Sequence, residues 1–312
     1  MGKGTKVLKA AGAAGVAAVS VSAAAAGVLF GKFVKRPKTP QDLGVTPLDD
    51  YKEMIEEGIS WFKAQDSEVW KMRSFDGLLL HGRFLPCENA KGTLLLMHGY
   101  RSPELRDFSC VYQFYHENGY NILVTDQRAN GQSEGDYSTF GVREREDCKD
   151  WCWMLRRRLG ADLPIFMDGV SMGGTTVLMS TALALPDNVK GIIADCGFTS
   201  PWDIMTHVLK KWYKMGPFPI LYIAGAMARR KAGFGPKDAS TIDAMKYNKI
   251  PILFVHGADD DFVPVWMTEK NYEACAAPKE MHIIEGAGHG MSYMTEMERC
   301  QKAILAFIER NS

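Results

Sequence analysis

The 312-residue chain has no surplus of charge of either sign: 37 lysines and arginines meet 37 aspartates and glutamates. That removes the global electrostatic case for a nucleic-acid partner. Its seven cysteines (Cys87, Cys110, Cys148, Cys152, Cys196, Cys275 and Cys300) include no C-x-x-C pair and no cysteine–histidine cluster at zinc spacing. An odd, scattered set of this kind argues against a disulfide framework, and the thiols read as small packed hydrophobes. No internal repeat is visible. With 46% apolar and 24% charged residues, the composition excludes a disordered tail or a collagen-like chain. Nothing in the sequence calls for a metal ion or an organic cofactor.

One apolar run stands out. Residues 10–31 carry no charge, and as a helix they would span roughly 33 Å, about the hydrocarbon thickness of a bilayer. Lysines flank both ends. Residues 1–40 hold Lys3, Lys6, Lys9, Lys32, Lys35, Arg36 and Lys38 and no acid, which leaves the rest of the chain acidic. This segment is expected to be a single-pass N-terminal membrane anchor. A cleaved signal peptide, ending near Ala24-Ala25-Ala26, and a soluble alanine helix are the alternatives. A proline-containing linker follows. Thr46-Pro47 then reads as an N-cap with proline at the first helical position, opening a helix that packs on the domain. The domain division is therefore 1–40 for anchor and linker and 41–312 for the catalytic unit.

The body alternates strand and helix signals. Residues 67–74 and 78–85, separated by Asp76-Gly77, form a hairpin. Short apolar runs at 93–97, 121–125, 164–167, 189–194, 251–255 and 280–284 suit strands buried on both faces. Helices are expected near 106–118, 141–159, 172–185, 265–276 and 293–310. The pattern predicts a mostly parallel sheet with helices on both faces. The interval 197–250 is too long for one crossover, and it reads as a small helical cap at about 198–249 over the sheet edge where ligands bind. Basic residues cluster there, with Lys210, Lys211, Lys214, Arg229, Arg230, Lys231 and Lys237 against Asp203 in residues 200–237. That charge suits an anionic, lipophilic partner.

Gly169-Val170-Ser171-Met172-Gly173 fits G-x-S-x-G, between a strand run and a helix run, which is the context of a nucleophile elbow. A serine hydroxyl needs a base to take its proton and a third group to orient that base. Of seven histidines, His289 lies in a glycine-rich loop after the last strand, placed to reach Ser171. The acid should follow a preceding strand, and Asp259, Asp260 and Asp261 all qualify, with Asp195 less so. Two backbone N–H groups should hold the oxyanion, those of Met172 and of Tyr100 in the loop after strand 93–97.

Together HGY at 98–100, DQRANGQSEG at 126–135, GVSMGG at 169–174, HGADDDFVP at 256–264 and GAGHG at 286–290 resemble the α/β-hydrolase superfamily. The likeness is to its serine-hydrolase branch of esterases and serine-aminopeptidase-like enzymes, akin to the catalytic domains of prolyl-oligopeptidase-type peptidases. It spans roughly residues 67–310. The resemblance implies the α/β-hydrolase fold and selects Asp260 among the three aspartates. It also implies that Asp126 and Arg128 shape a turn. The expected activity is hydrolysis of a small or lipophilic carboxylic ester through an acyl-enzyme. A peptidase, thioesterase or acyltransferase on the same triad, or a non-catalytic membrane scaffold, is the alternative.

Overall fold

The computed structural model describes residues 20–38, 49–103 and 105–312. Eight strands form one sheet: β1 Glu68–Arg73, β2 Leu79–Leu85, β3 Gly92–Met97, β4 Tyr120–Asp126, β5 Ile165–Val170, β6 Val189–Asp195, β7 Ile252–Gly257 and β8 Lys279–Ile284. Their order is β1-β2-β4-β3-β5-β6-β7-β8. The first hairpin is antiparallel, and β3 through β8 pair in parallel. This is the α/β-hydrolase fold.

Side chains on successive strand residues point to opposite faces, and the core shows it. Leu95 and Met97 of β3 join Leu123, Ile165 and Met167 on one face. Leu94 and Leu96 join Ile122, Val124 and Phe166 on the other. Both faces are covered by helix. Met72 and Trp70 alternate with exposed Lys71 and Arg73 on the edge strand β1, where charge discourages pairing with another chain.

Helix α1 covers residues 20–33 within the described span. It is followed by α2 Lys52–Ala64, α3 Tyr112–Glu117, α4 Glu144–Leu159, α5 Met172–Ser180, α6 Pro201–Tyr213, α7 Ile220–Ala232, α8 Thr241–Met245, α9 Trp266–Ala274, α10 Ser292–Thr295 and α11 Met297–Asn311. Helices α6 to α8 occupy the interval read as a cap. Some of its basic charge is spent internally: Lys211 pairs with Asp261 at 2.9 Å, and Lys237 lies over the Trp202 ring at 3.8 Å.

Two helices are shorter than their patterns suggested. Helix α5 stops at Ser180 because the Ser180 and Thr181 hydroxyls bond back to Val177 O and Leu178 O, offering the backbone a local alternative. Helix α3 starts only at Tyr112 because the residues before it form a loop built around Asp107. The Thr46-Pro47 cap lies outside the described residues, and Tyr51 precedes α2.

The N-terminal reading is corrected. Among the described residues no helix is long and apolar enough to cross a membrane. The membrane anchor, its transmembrane helix and the membrane localisation are therefore not upheld, and neither is the secreted alternative. The physical reason lies in the spacing of the larger side chains. Ala26, Phe30 and Val34 recur every four residues and make one stripe, and that stripe is buried against the protein itself. Phe30 and Val34 pack with Phe140, Met172, Phe198 and Ile204. Residues 1–19 lie outside the described span.

Candidate active site

The order of strands places the site. Strand β3 pairs with β4 on one side and β5 on the other, so successive strands diverge there and leave a crevice at the carboxyl ends. Met97 pairs with Gly169, which sets the loop at 98–100 beside the turn at 170–172.

Ser171 occupies that turn, between β5 and α5, with φ 56° and ψ −114°. Such a backbone conformation in a non-glycine residue costs about 1–3 kcal/mol and is held by its surroundings. Ser171 N donates to Asp195 O at 2.8 Å and Thr175 N to Ser171 O at 2.9 Å. The flanking glycines are required by close approach. A Cβ on Gly169 would lie 2.3 Å from Gly173 O, and one on Gly173 would lie 1.7 Å from Met97 O.

Three side chains from three separate loops meet here. His289, between β8 and α10, places Nε2 2.9 Å from Ser171 Oγ. Its Nδ1 lies 2.7 Å from Asp260 Oδ2 in the loop after β7. All three are buried, at 7%, 7% and 5% exposure for Ser171, His289 and Asp260. Asp260 Oδ1 accepts from Phe262 N and Val263 N, both at 2.9 Å, so the carboxylate cannot turn. With Asp260 as acceptor, the Nδ1–H tautomer is fixed, and Nε2 is left to accept from the serine hydroxyl.

Burial opposes charge on Asp260, but hydrogen bonds from His256 and His289 outweigh it and hold the carboxyl well below the usual carboxylate range. His256 was not singled out in the sequence. Its Nε2 lies 3.2 Å from Asp260 Oδ2 and 2.8 Å from Val263 O, while Thr268 Oγ1 meets its Nδ1 at 2.7 Å. It buttresses the loop that presents Asp260. The signal was its spacing, four residues before Asp260.

Asp195 is spoken for elsewhere. It accepts from Ser292 Oγ at 3.0 Å, and burial pushes its carboxyl up to about 6. Asp168 accepts from Tyr115 Oη at 2.7 Å, and burial pushes it up to about 7. Cys196 Sγ, an Asp260 oxygen and a His289 nitrogen lie within 4.8 Å of one another. The aspartate and imidazole are engaged with each other, and burial drives the Cys196 thiol far up, so it stays neutral. This is a packing contact, not a ligand set.

Tyr100 and Ser171 line one cleft, and a Cβ on Gly99 would lie 3.5 Å from Ser171 Cβ. Met172 opens α5 directly after the serine. The loop carrying Tyr100 is pinned by a residue the sequence had placed in a helix. Asp107 Oδ2 accepts from Gly99 N at 2.7 Å, and its Oδ1 accepts from Ser102 Oγ. His98 adds a second anchor, accepting from Gln127 N at 3.1 Å through Nε2, so that Nδ1 donates to Gly99 O at 2.6 Å. Arg128 makes a bidentate pair with Asp147, at 2.7 Å for both bonds, and reaches Asp76 at 2.9 Å. It fastens a turn and stays out of the site.

The cleft has two arms. One, bordered by His289, Arg106, Asp107, Asp168, Asp195 and Tyr293, mixes polar and apolar groups. The other also opens at Ser171 and is apolar throughout.

Known proteins bear on this geometry. The model of the prolyl oligopeptidase family matches residues 106–312. YqkD of Bacillus subtilis, described as uncharacterized, is 26% identical over 307 residues, 97% of each chain. The zebrafish (Danio rerio) lysophosphatidylserine lipase ABHD12 is 24% identical over 301 residues, 86% of this chain and 69% of its own. Among solved structures, the Pyrococcus furiosus esterase PF2001 superposes with a TM-score of 0.67 at 20% identity, covering 89% of this chain and 98% of that one. At that identity the likeness speaks for the fold.

Proposed function

This chain belongs to the prolyl oligopeptidase family, an α/β-hydrolase family of serine hydrolases, and we propose that it cleaves carboxylic esters through Ser171. The observation that carries the proposal is the continuous relay from Ser171 Oγ to His289 Nε2 at 2.9 Å and from His289 Nδ1 to Asp260 Oδ2 at 2.7 Å. In this reading His289 takes the hydroxyl proton as Ser171 Oγ bonds to the substrate carbonyl carbon. Asp260 stabilises the imidazolium, and the N–H groups of Met172 and Tyr100 receive the charge developing on the carbonyl oxygen. The bond to the alcohol oxygen then breaks, and His289 gives that oxygen its proton. Water, activated by the same imidazole, frees the acid and restores Ser171.

An ester is favoured over a peptide for a specific reason. An aminopeptidase needs a charged acid to hold the substrate amine, and the acids of the polar arm are all engaged. Asp107 is bound by Gly99, Ser102 and Arg106, Asp168 by Tyr115, and Asp195 by Ser292. Burial also favours the neutral form of the last two. The apolar arm suits a lipophilic acyl group, in keeping with the relatives named as a lipase and an esterase. The test sets p-nitrophenyl esters against aminoacyl p-nitroanilides. Ester turnover that exceeds anilide turnover by about 100-fold or more beyond their intrinsic reactivity difference supports the proposal. Preferential cleavage of the anilides overturns it.

A further inference from the structure

The apolar arm is bounded on one side by cap residues and on the other by Leu29, Phe30, Phe33 and Val34. These belong to α1 and the turn that ends it, in the segment whose composition had suggested an anchor. We propose that this segment is a wall of the acyl-binding cavity, and that residues 29–34 set which chain lengths the enzyme accepts. The inference rests on the ester-hydrolase reading above.

The direction of the substrate follows from the reaction. The departing alcohol oxygen takes its proton from His289 Nε2, so the alcohol has to leave on the His289 side. His289 borders the mixed arm and is absent from the lining of the apolar arm. The acyl chain therefore runs the other way, from Ser171 toward Phe30 and Val34. Both side chains are buried, at 4% and 5% exposure. Phe198 and Ile204 line the same arm.

The wall is fastened to the machinery it serves. Tyr100, whose N–H is assigned to the oxyanion, donates its hydroxyl to Phe33 O at 2.6 Å. Arg101 Nη2 donates to Lys35 O at 2.7 Å, and Ser138 N to Val34 O at 2.9 Å. Arg36 reaches Ser133 O at 2.6 Å and Gly131 O at 2.7 Å. The loops that follow β3 and β4 thus hold the end of α1, which fixes the distance from the wall to Ser171.

The experiment uses the full chain and the p-nitrophenyl esters of acetate, butyrate and octanoate. Each methylene moved out of water into the cavity contributes about fourfold in kcat/KM, so the wild type should favour octanoate over acetate. Val34→Trp and the milder Leu29→Trp narrow the cavity, and Phe30→Ala opens its wall to water. Each should lower the octanoate-to-acetate ratio of kcat/KM by about tenfold or more. Loss of a purely structural contact would depress all three esters together and leave the ratio alone. Ratios within about twofold of wild type in all three variants overturn the inference. A wild type that cleaves acetate and gains nothing with chain length overturns it while leaving the ester reading intact. A wild type that cleaves no ester removes both.

Discussion

Replacing Asp260 by asparagine changes one atom pair and should nearly abolish turnover, for a reason visible in the hydrogen bonds. Asp260 Oδ1 is held by Phe262 N and Val263 N at 2.9 Å each. Both are donors, so an asparagine must place its carbonyl oxygen there. Its NH2 group is then left where Oδ2 stands, 2.7 Å from His289 Nδ1. Two donors cannot share that contact. His289 must give up the Nδ1 proton and carry it on Nε2, facing the Ser171 hydroxyl, where it can no longer act as base. An imidazole trapped in the wrong tautomer costs about 10⁴ in kcat, or roughly 5.5 kcal/mol of transition-state stabilisation. The neighbours provide the contrast. The Asp261 side chain is 79% exposed and pairs with Lys211, so Asp261→Asn removes only a surface charge. Asp261→Asn and Asp259→Asn should stay within about threefold of wild type. The assay is steady-state hydrolysis of p-nitrophenyl acetate, with thermal unfolding run alongside to show that each variant is folded. If Asp260→Asn keeps more than about a tenth of wild-type kcat while Asp195→Asn loses it, the acid has been misassigned and the tautomer argument fails.

Three further outcomes follow from the geometry. Gly173→Ala puts a Cβ 1.7 Å from Met97 O, so the elbow must open; thermal unfolding should show a loss of about 3 kcal/mol or more, and a neutral result would mean the turn is not held by β3. Arg128→Lys cannot reproduce the paired bonds to buried Asp147 and should cost about 2–4 kcal/mol in denaturant unfolding, with ester KM unchanged. Burial holds the Asp168 carboxyl up at about 7, above its ordinary 3.8, so the folded chain keeps this proton where the unfolded chain loses it. This group's contribution to stability therefore falls as pH rises from about 4 to 7. Asp168→Asn, which still offers Tyr115 an acceptor, should raise the unfolding free energy in denaturant more at pH 8 than at pH 5, by an amount on the order of a few kcal/mol. A gain independent of pH would show that Asp168 is ionised throughout.

The fold was legible because both-face burial leaves a continuous apolar run. Residues such as Leu94, Leu95 and Leu96 announce a parallel strand without ambiguity. The candidate site was legible because a sharp turn demands glycines that cannot be replaced, and Gly169 and Gly173 frame Ser171 in this way. What escaped the sequence depends on contacts between segments far apart in it. Asp107 reads as a helical residue until Gly99 N is found 2.7 Å away. His256 reads as the end of a strand until its ring meets Asp260. The N-terminal segment was misread for a related reason. Hydropathy records that Phe30 and Val34 are apolar but not what they face, and here they face Met172 and Phe198. The run also owes its lack of charge mainly to alanine and glycine, which give little drive toward lipid.

The central claim is that Ser171, activated by His289, becomes acylated. Incubating the full chain with a fluorophosphonate and locating the adduct by peptide mass spectrometry tests it most directly. The relay of 2.9 Å and 2.7 Å predicts a single adduct on Ser171, lost in Ser171→Ala and strongly slowed in His289→Ala. An adduct on another serine, or labelling of Ser171 at the wild-type rate without His289, would contradict the account.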